Sequence, residues 1–191
     1  ALVLIFAFAA IAEIFSVFSG NPLLNWPVIM GSIASIAVLG TLAWMQNMYT
    51  APIGLGYKYF GMCVALMLII PVGLIFYNLI ETLKGGALNM RAPLLFAIGA
   101  LSAISLGLAA ELQQSLVGAA WYLKNTTDST AATHFALIGG AVFGGFAALH
   151  YWFPKITGRS MGEQLGRISF WTLAAGSLLA FVPMALAGWE E

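Results

Sequence analysis

Few side chains in this sequence could do chemistry: two histidines, one cysteine, seven acidic and seven basic residues stand among 191. His134 lies in TAATHFALIGG and His150 in FAALHYWF, about four turns further along a helix. A neutral imidazole near the end of a membrane helix suits axial ligation of heme iron. A lone histidine in such a helix is more often a helix-to-helix hydrogen bond, and that reading stands beside the first. His150 reads as a hydrogen-bonded interfacial residue. Glu13 and Glu111 sit in apolar surroundings, where a carboxylate is by default a proton or ion candidate. Glu13 is close to a loop and within reach of water, and Glu111 is near the end of its helix. Cys63, in GMCVALMLII, has no second thiol with which to close a disulfide and reads as a small apolar residue. Asn125-Thr126-Thr127 matches a glycosylation acceptor, a common triplet that matters only in a secretory pathway.

The elements that must position these residues are membrane helices. With 61% hydrophobic and 7% charged positions, the chain lacks the polar surface to cover a soluble globule, so lipid is its medium. The balanced charge provides no basic field for nucleic acid, which is not expected as a partner. A bilayer core about 30 Å thick needs about 20 apolar helical residues, because every backbone polar group must be paired internally. Six segments qualify, at about 1–18, 28–47, 61–83, 93–112, 133–153 and 168–188, and together they make one all-α transmembrane domain over 1–191. Breaker signals fill the connections around Pro22, Pro27, Pro52, Gly85, Pro93 and Pro154. The first residues, ALVLIFAFAAIAEIF, show neither a basic leader nor a polar cleavage region. The expectation is a chain that starts inside a helix, with upstream residues or a separate polypeptide completing the domain.

Charge sets the expected orientation. Lys84, Arg91, Lys155, Arg159 and Arg167 follow helices one, three and five, whereas Lys58 and Lys124 lie on the other side. The positive-inside rule places the first set in the cytoplasm and the terminal Glu190 and Glu191 outside, in a cell (inner) membrane. The loop holding Lys155, Arg159, Glu163 and Arg167 then reads as a topology determinant and a surface for neighbouring subunits. Trp26, Trp44, Trp121, Tyr122, Tyr151, Trp152 and Trp189 fall near span ends, as interfacial anchors do. The glycines of LIGGAVFGGFAALHYW allow close helix approach or room for a flat prosthetic group, and packing is the default reading.

The stretch GGAVFGGFAALHYWFPKITGRSMGEQLGRISFWTLAAGSLLAFVPMALAG closely resembles the tenth and eleventh helices of heme-copper oxidase subunit I, including the YWFPKITGR loop. Upstream, IAEIFSVFSGNPLLNW is similar to the end of the family's sixth helix, AWMQNMYT to the end of its seventh and LIIPVGLIFYNL to its eighth. The resemblance covers helices six to eleven, nearly the whole chain, and agrees with the orientation read from charge.

Residue by residue, the resemblance implies losses. Gln46 and Asn47 stand where the family has a His-His pair on copper, and amides are poor ligands for such a site. Ala1 falls where the family has a cross-linked tyrosine. Of the family's His-x-His on the tenth helix, the position that binds the oxygen-reducing heme is Ala132, and the one that binds the low-spin heme is His134. Ile75 replaces a proton-channel lysine, and Lys124 and Asn125 replace the pair that holds a nonredox metal. The resemblance therefore implies a membrane subunit of a respiratory electron-transfer complex, with no copper and no oxygen reduction of its own. It implies one low-spin heme, of a or b type, held by His134 and by a second histidine from another chain or an upstream segment. The alternatives are a heme-free scaffold in such a complex, half of a split terminal oxidase, or an unrelated transporter. A transporter would call for paired broken helices or midplane charges, and Pro71 with Gly73 is the one midplane interruption.

Overall fold

The computed structural model describes residues 2–190. The position of Ala1 and the terminal Glu191 lie outside the described residues. The chain folds into α1 (Leu2–Ser19), α2 (Trp26–Leu42), a 3-10 segment (Ala43–Met48), α3 (Leu55–Met67), α4 (Ile69–Leu83), α5 (Ala92–Ser115), α6 (Val117–Leu123), α7 (Thr127–Leu137), a π segment (Ile138–Phe143), α8 (Gly144–Thr157) and α9 (Glu163–Ala187). Five of the six expected spans are long and apolar enough to cross a membrane: Trp26–Met48, Leu55–Leu83, Ala92–Ser115, Thr127–Thr157 and Glu163–Ala187. The sixth, α1, is a shorter apolar helix. The spans extend a few residues past the expected bounds, since interfacial residues continue the helical hydrogen bonding beyond the apolar run.

Three spans change backbone pattern along their length, and the second span of the chain passes into the 3-10 segment at Ala43. Pro71 has no N–H to give to the Met67 carbonyl, and the third span breaks into α3 and α4 at Leu68. In the fifth span the turn widens over Ile138–Phe143, which holds Gly139 and Gly140. At the other extreme, α1, α4 and α8 end abruptly at Gly20, Gly85 and Gly158, whose φ values of 73°, 73° and 69° suit a residue without Cβ.

The centre of the bundle is α5. Of its apolar window 61% is buried, against 6% for α9, which lies at the edge. The core joins Phe8, Ile11 and Phe15 of α1 to Ile75 and Leu79 of α4, Phe96 and Ile104 of α5, Phe143, and Phe170 of α9. Small residues let the spans come together, as the glycine pattern suggested. A Cβ on Gly107 would stand 2.6 Å from the Ala136 nitrogen, and one on Gly139 would stand 2.7 Å from the Ile104 nitrogen. Gly140 and Gly144 face Val3 and Ala7 of α1, whereas nothing lies within 4 Å of Gly145.

The two ends of the bundle are built differently. At the end carrying the basic loops, the Asn21 amide donates to the carbonyls of Thr82 and Lys84, and Asn89 N–H donates to the Phe18 carbonyl. Glu163 accepts from Ala92 N–H at 2.9 Å and from Arg167, whose guanidinium also donates to the Met90 carbonyl. Glu163 and Arg167 thus fasten α5 to α9, beyond the expected part in topology. Tyr151, expected among the interfacial anchors, is instead only 7% exposed. Its hydroxyl donates to Glu13 at 2.9 Å and accepts from Lys155, so a polar contact between α1 and α8 draws the ring inward. Lys155 is 3.5 Å from Glu13.

Candidate functional site

At the opposite end, α7 rises from a connection in which Asn125 takes a positive φ of 75°, a conformation asparagine tolerates better than most residues. About two turns into α7, His134 lies exposed on the helix surface. Its Nδ1 is 2.7 Å from the Thr130 carbonyl oxygen. A carbonyl only accepts, so Nδ1 carries the proton and Nε2 keeps its lone pair. That tautomer is the one a metal ligand needs, and the carbonyl fixes the ring's direction. The ring lies against Phe181 of α9, with centroids 5.3 Å apart.

Beside His134, between α5, the α7–α8 span and α9, lies a groove of about 580 Å³. Phe96, Ile138, Phe146, Leu173 and Phe181 line it. Ile138 is one turn beyond His134, and Gly176 on the facing wall leaves its Cβ position open. At the far end, His150 donates from Nδ1 to the Phe146 carbonyl at 2.9 Å and stacks on Phe96 with centroids 5.3 Å apart. Its Nε2 comes within 3.0 Å of where a Gly166 Cβ would stand. His150 is therefore a packed, hydrogen-bonded residue, as expected. The groove is apolar, and the His134 ring packs on one of its lining residues, Phe181.

The other positions singled out from the sequence are dispersed. Ala132, two residues before His134, is 1% exposed and faces α5, where its carbonyl lies 3.0 Å from a Gly107 Cβ. Helix packing fills that side of α7. Ile75 is fully buried in the central core. Gln46 lines a separate cavity between α3, α4 and α5, as does Glu111. Asn47 accepts from the Lys124 ammonium at 3.3 Å, so residues from two different positions of interest meet. Among the described residues, no three His, Cys, Asp or Glu side chains converge in a metal-binding group.

Three polar residues at this end carried no sequence signal. Lys58 is only 5% exposed, with its ammonium on the Tyr49 carbonyl and 4.9 Å above the Trp121 ring. Tyr49 is 1% exposed and its hydroxyl has no hydrogen-bond partner among the described residues. Burial pushes this phenol above its usual range. Asp128 is 2% exposed and accepts from the Gln114 amide at 2.9 Å. Burial holds the Lys124 amine below the ordinary lysine range, and the nearby Glu111 carboxylate offsets part of that effect.

Comparison with known proteins adds a family. A family model described as cytochrome c and quinol oxidase polypeptide I matches residues 1–191. Cytochrome c oxidase subunit 1 of Cereibacter sphaeroides is 29% identical over 182 residues, which is 95% of this chain and 32% of that protein. A probable cytochrome c oxidase subunit 1-beta of Nocardia farcinica is 33% identical over 175 residues, 92% of this chain and 29% of the relative. Ubiquinol oxidase subunit 1 of Acetobacter aceti is 29% identical over 184 residues, 96% of this chain and 28% of the relative. The chain spans about a third of the length of these relatives.

Proposed function

Because the chain belongs to the cytochrome c and quinol oxidase polypeptide I family, we propose that this multi-pass membrane protein is a subunit of a respiratory electron-transfer complex and gives one axial ligand, His134, to a low-spin heme. One observation carries the reading: His134, its Nδ1–H held by the Thr130 carbonyl, packs on Phe181, a lining residue of an apolar groove of about 580 Å³. When bound, the heme passes single electrons. The chain's own residues would orient the ligand ring through the Thr130 carbonyl and give the group an apolar wall of Phe96, Ile138, Phe146 and Phe181. The second axial histidine comes from another polypeptide or from an upstream segment.

Copper and an oxygen-reducing heme form no part of this proposal. Gln46 and Asn47 present amides where the resemblance calls for imidazoles, and Asn47 is engaged by Lys124. Ala132 faces tightly packed α5, which supports the absence of a second macrocycle on that side. The basic end, with Lys84, Arg91, Lys155, Arg159 and Arg167, is placed in the cytoplasm and the α5–α7 connection outside.

The test is the reduced-minus-oxidised spectrum of the purified complex. The wild type is expected to show the alpha band of a bis-histidine heme, and His134→Ala to lose it while the complex stays assembled. An unchanged band would overturn the ligand assignment. The absence of any band in the wild type would favour the heme-free scaffold, in which His134 serves as a packing contact on Phe181. Copper in stoichiometric amount together with oxygen uptake would point to half of a split oxidase.

A further inference from the structure

Between α3, α4 and α5 lies the cavity of about 310 Å³ that the heme reading leaves unused. Its walls are apolar, with Leu68, Val72 and Phe76 on one side and Leu108 and Leu112 on the other. The break before Pro71 falls on this wall, so the chain leaves its helical path where the cavity opens. Glu111 enters it one turn before the end of α5, at a depth of about 6 Å below the helix terminus. No donor among the described residues reaches the Glu111 carboxylate. Lys124 is near enough to feel its charge but makes no ion pair with it within 4 Å among the described residues. Its ammonium is held instead by Asn47 at 3.3 Å and over the Tyr49 ring at 5.6 Å. A carboxylate thus stands on the wall of an apolar slot near the end of α5, with the Lys124 ammonium on Asn47, next to the lining residue Gln46.

We propose that this cavity binds a phospholipid with a primary-ammonium head group, its acyl chain between α4 and α5, its ammonium donating to Glu111 and its phosphate against Lys124. The charge pattern selects the head. An anionic lipid would meet the Glu111 carboxylate unpaired, and a trimethylammonium head has no N–H to donate to it. Length of chain is not selected, because the slot is open at one side. The site lies on α3, α4 and α5, away from His134, and does not depend on the heme.

The experiment uses the whole chain in its native complex, washed in mild detergent, with retained lipids counted by mass spectrometry. Wild type is expected to keep phosphatidylethanolamine, and Glu111→Gln to keep about tenfold less, as loss of a charge-assisted hydrogen bond implies. Leu108→Trp, which fills the slot, is expected to show the same loss, with phosphatidylglycerol retention and the alpha band unchanged in both variants. Equal retention by Glu111→Gln, phosphatidylcholine held as tightly as phosphatidylethanolamine, or an isoprenoid quinone recovered from the slot would each overturn the proposal. A second measurement needs no variant: phosphatidylethanolamine added to delipidated wild type should raise its melting temperature, and phosphatidylcholine should not. No rise would also overturn it. A missing alpha band in wild type would count against the heme alone.

Discussion

Gly107 and Gly31 lack the same side chain in opposite surroundings. A Cβ on Gly107 would meet backbone atoms of α7 at 2.6 and 3.0 Å, which cannot rotate away, whereas nothing stands within 4 Å of Gly31. Gly107→Ala is therefore expected to force α5 and α7 apart and cost about 1–3 kcal/mol. Gly31→Ala, in the interior of α2, is expected to gain about 1 kcal/mol from helix propensity. Detergent-unfolding titrations of the two variants check the opposite signs. Residues of this kind show what the sequence makes legible at the smallest scale. The dense glycines pointed to close packing, and Gly139, Gly140 and Gly144 do pack on α5 or α1. Which face each one serves came only from the assembled helices, and Gly145 serves none.

Among the elements, α5 depends on a residue far along the chain. Glu163, in the first turn of α9, accepts the Ala92 N–H that would otherwise be left open at the start of α5, and it positions Arg167 on the Met90 carbonyl. Glu163→Ala is expected to destabilise the bundle by about 1–2 kcal/mol, and Glu163→Gln, which keeps an acceptor, by less. Thermal unfolding of both variants measures the difference. The loop that holds Glu163 is visible in the sequence as a run of mixed charge, but a contact 71 residues away in the chain is not. The same limit explains Lys58, Asp128 and Tyr151: each is a polar residue at a span end, where composition predicts exposure, and each is buried by a partner from another helix. Pro71 made the third-span interruption readable in advance. The short α6 and the wide turn at Ile138–Phe143 had no such marker, because glycine pairs fit straight packing equally well.

At the scale of the whole molecule, the two ends differ in how they are tied. The basic end gathers the loops after α1, α4 and α8 through backbone carbonyls and Glu163, while the other end relies on Lys58, Lys124 and Asp128 side chains. The proposed orientation puts the first in the cytoplasm. In a Cys63→Ser background, Arg159→Cys is expected to react with a membrane-impermeant maleimide only after the cells are opened, and Tyr122→Cys, 82% exposed, in intact cells. The reverse labelling would invert the topology. Membrane class and the apolar spans were within reach of composition, since bilayer thickness acts on short stretches of chain. The groove beside His134 was not, because its walls come from α5, α8 and α9 together.

The wide turn within the fifth span sets the aim of everything before it. A π turn holds one residue more than an α-helix would use, so closing Ile138–Phe143 into an ordinary α-helical path with every residue kept would carry the helix one residue further round. The half of the span that bears His134 would then swing by about 100° about its own axis relative to α8. Such a closure would spare the hydrogen-bond ladder and turn the imidazole away from Phe181. The molecule would still insert and fold, yet its absorbance would match that of His134→Ala, a loss of bearing with no loss of the ligand.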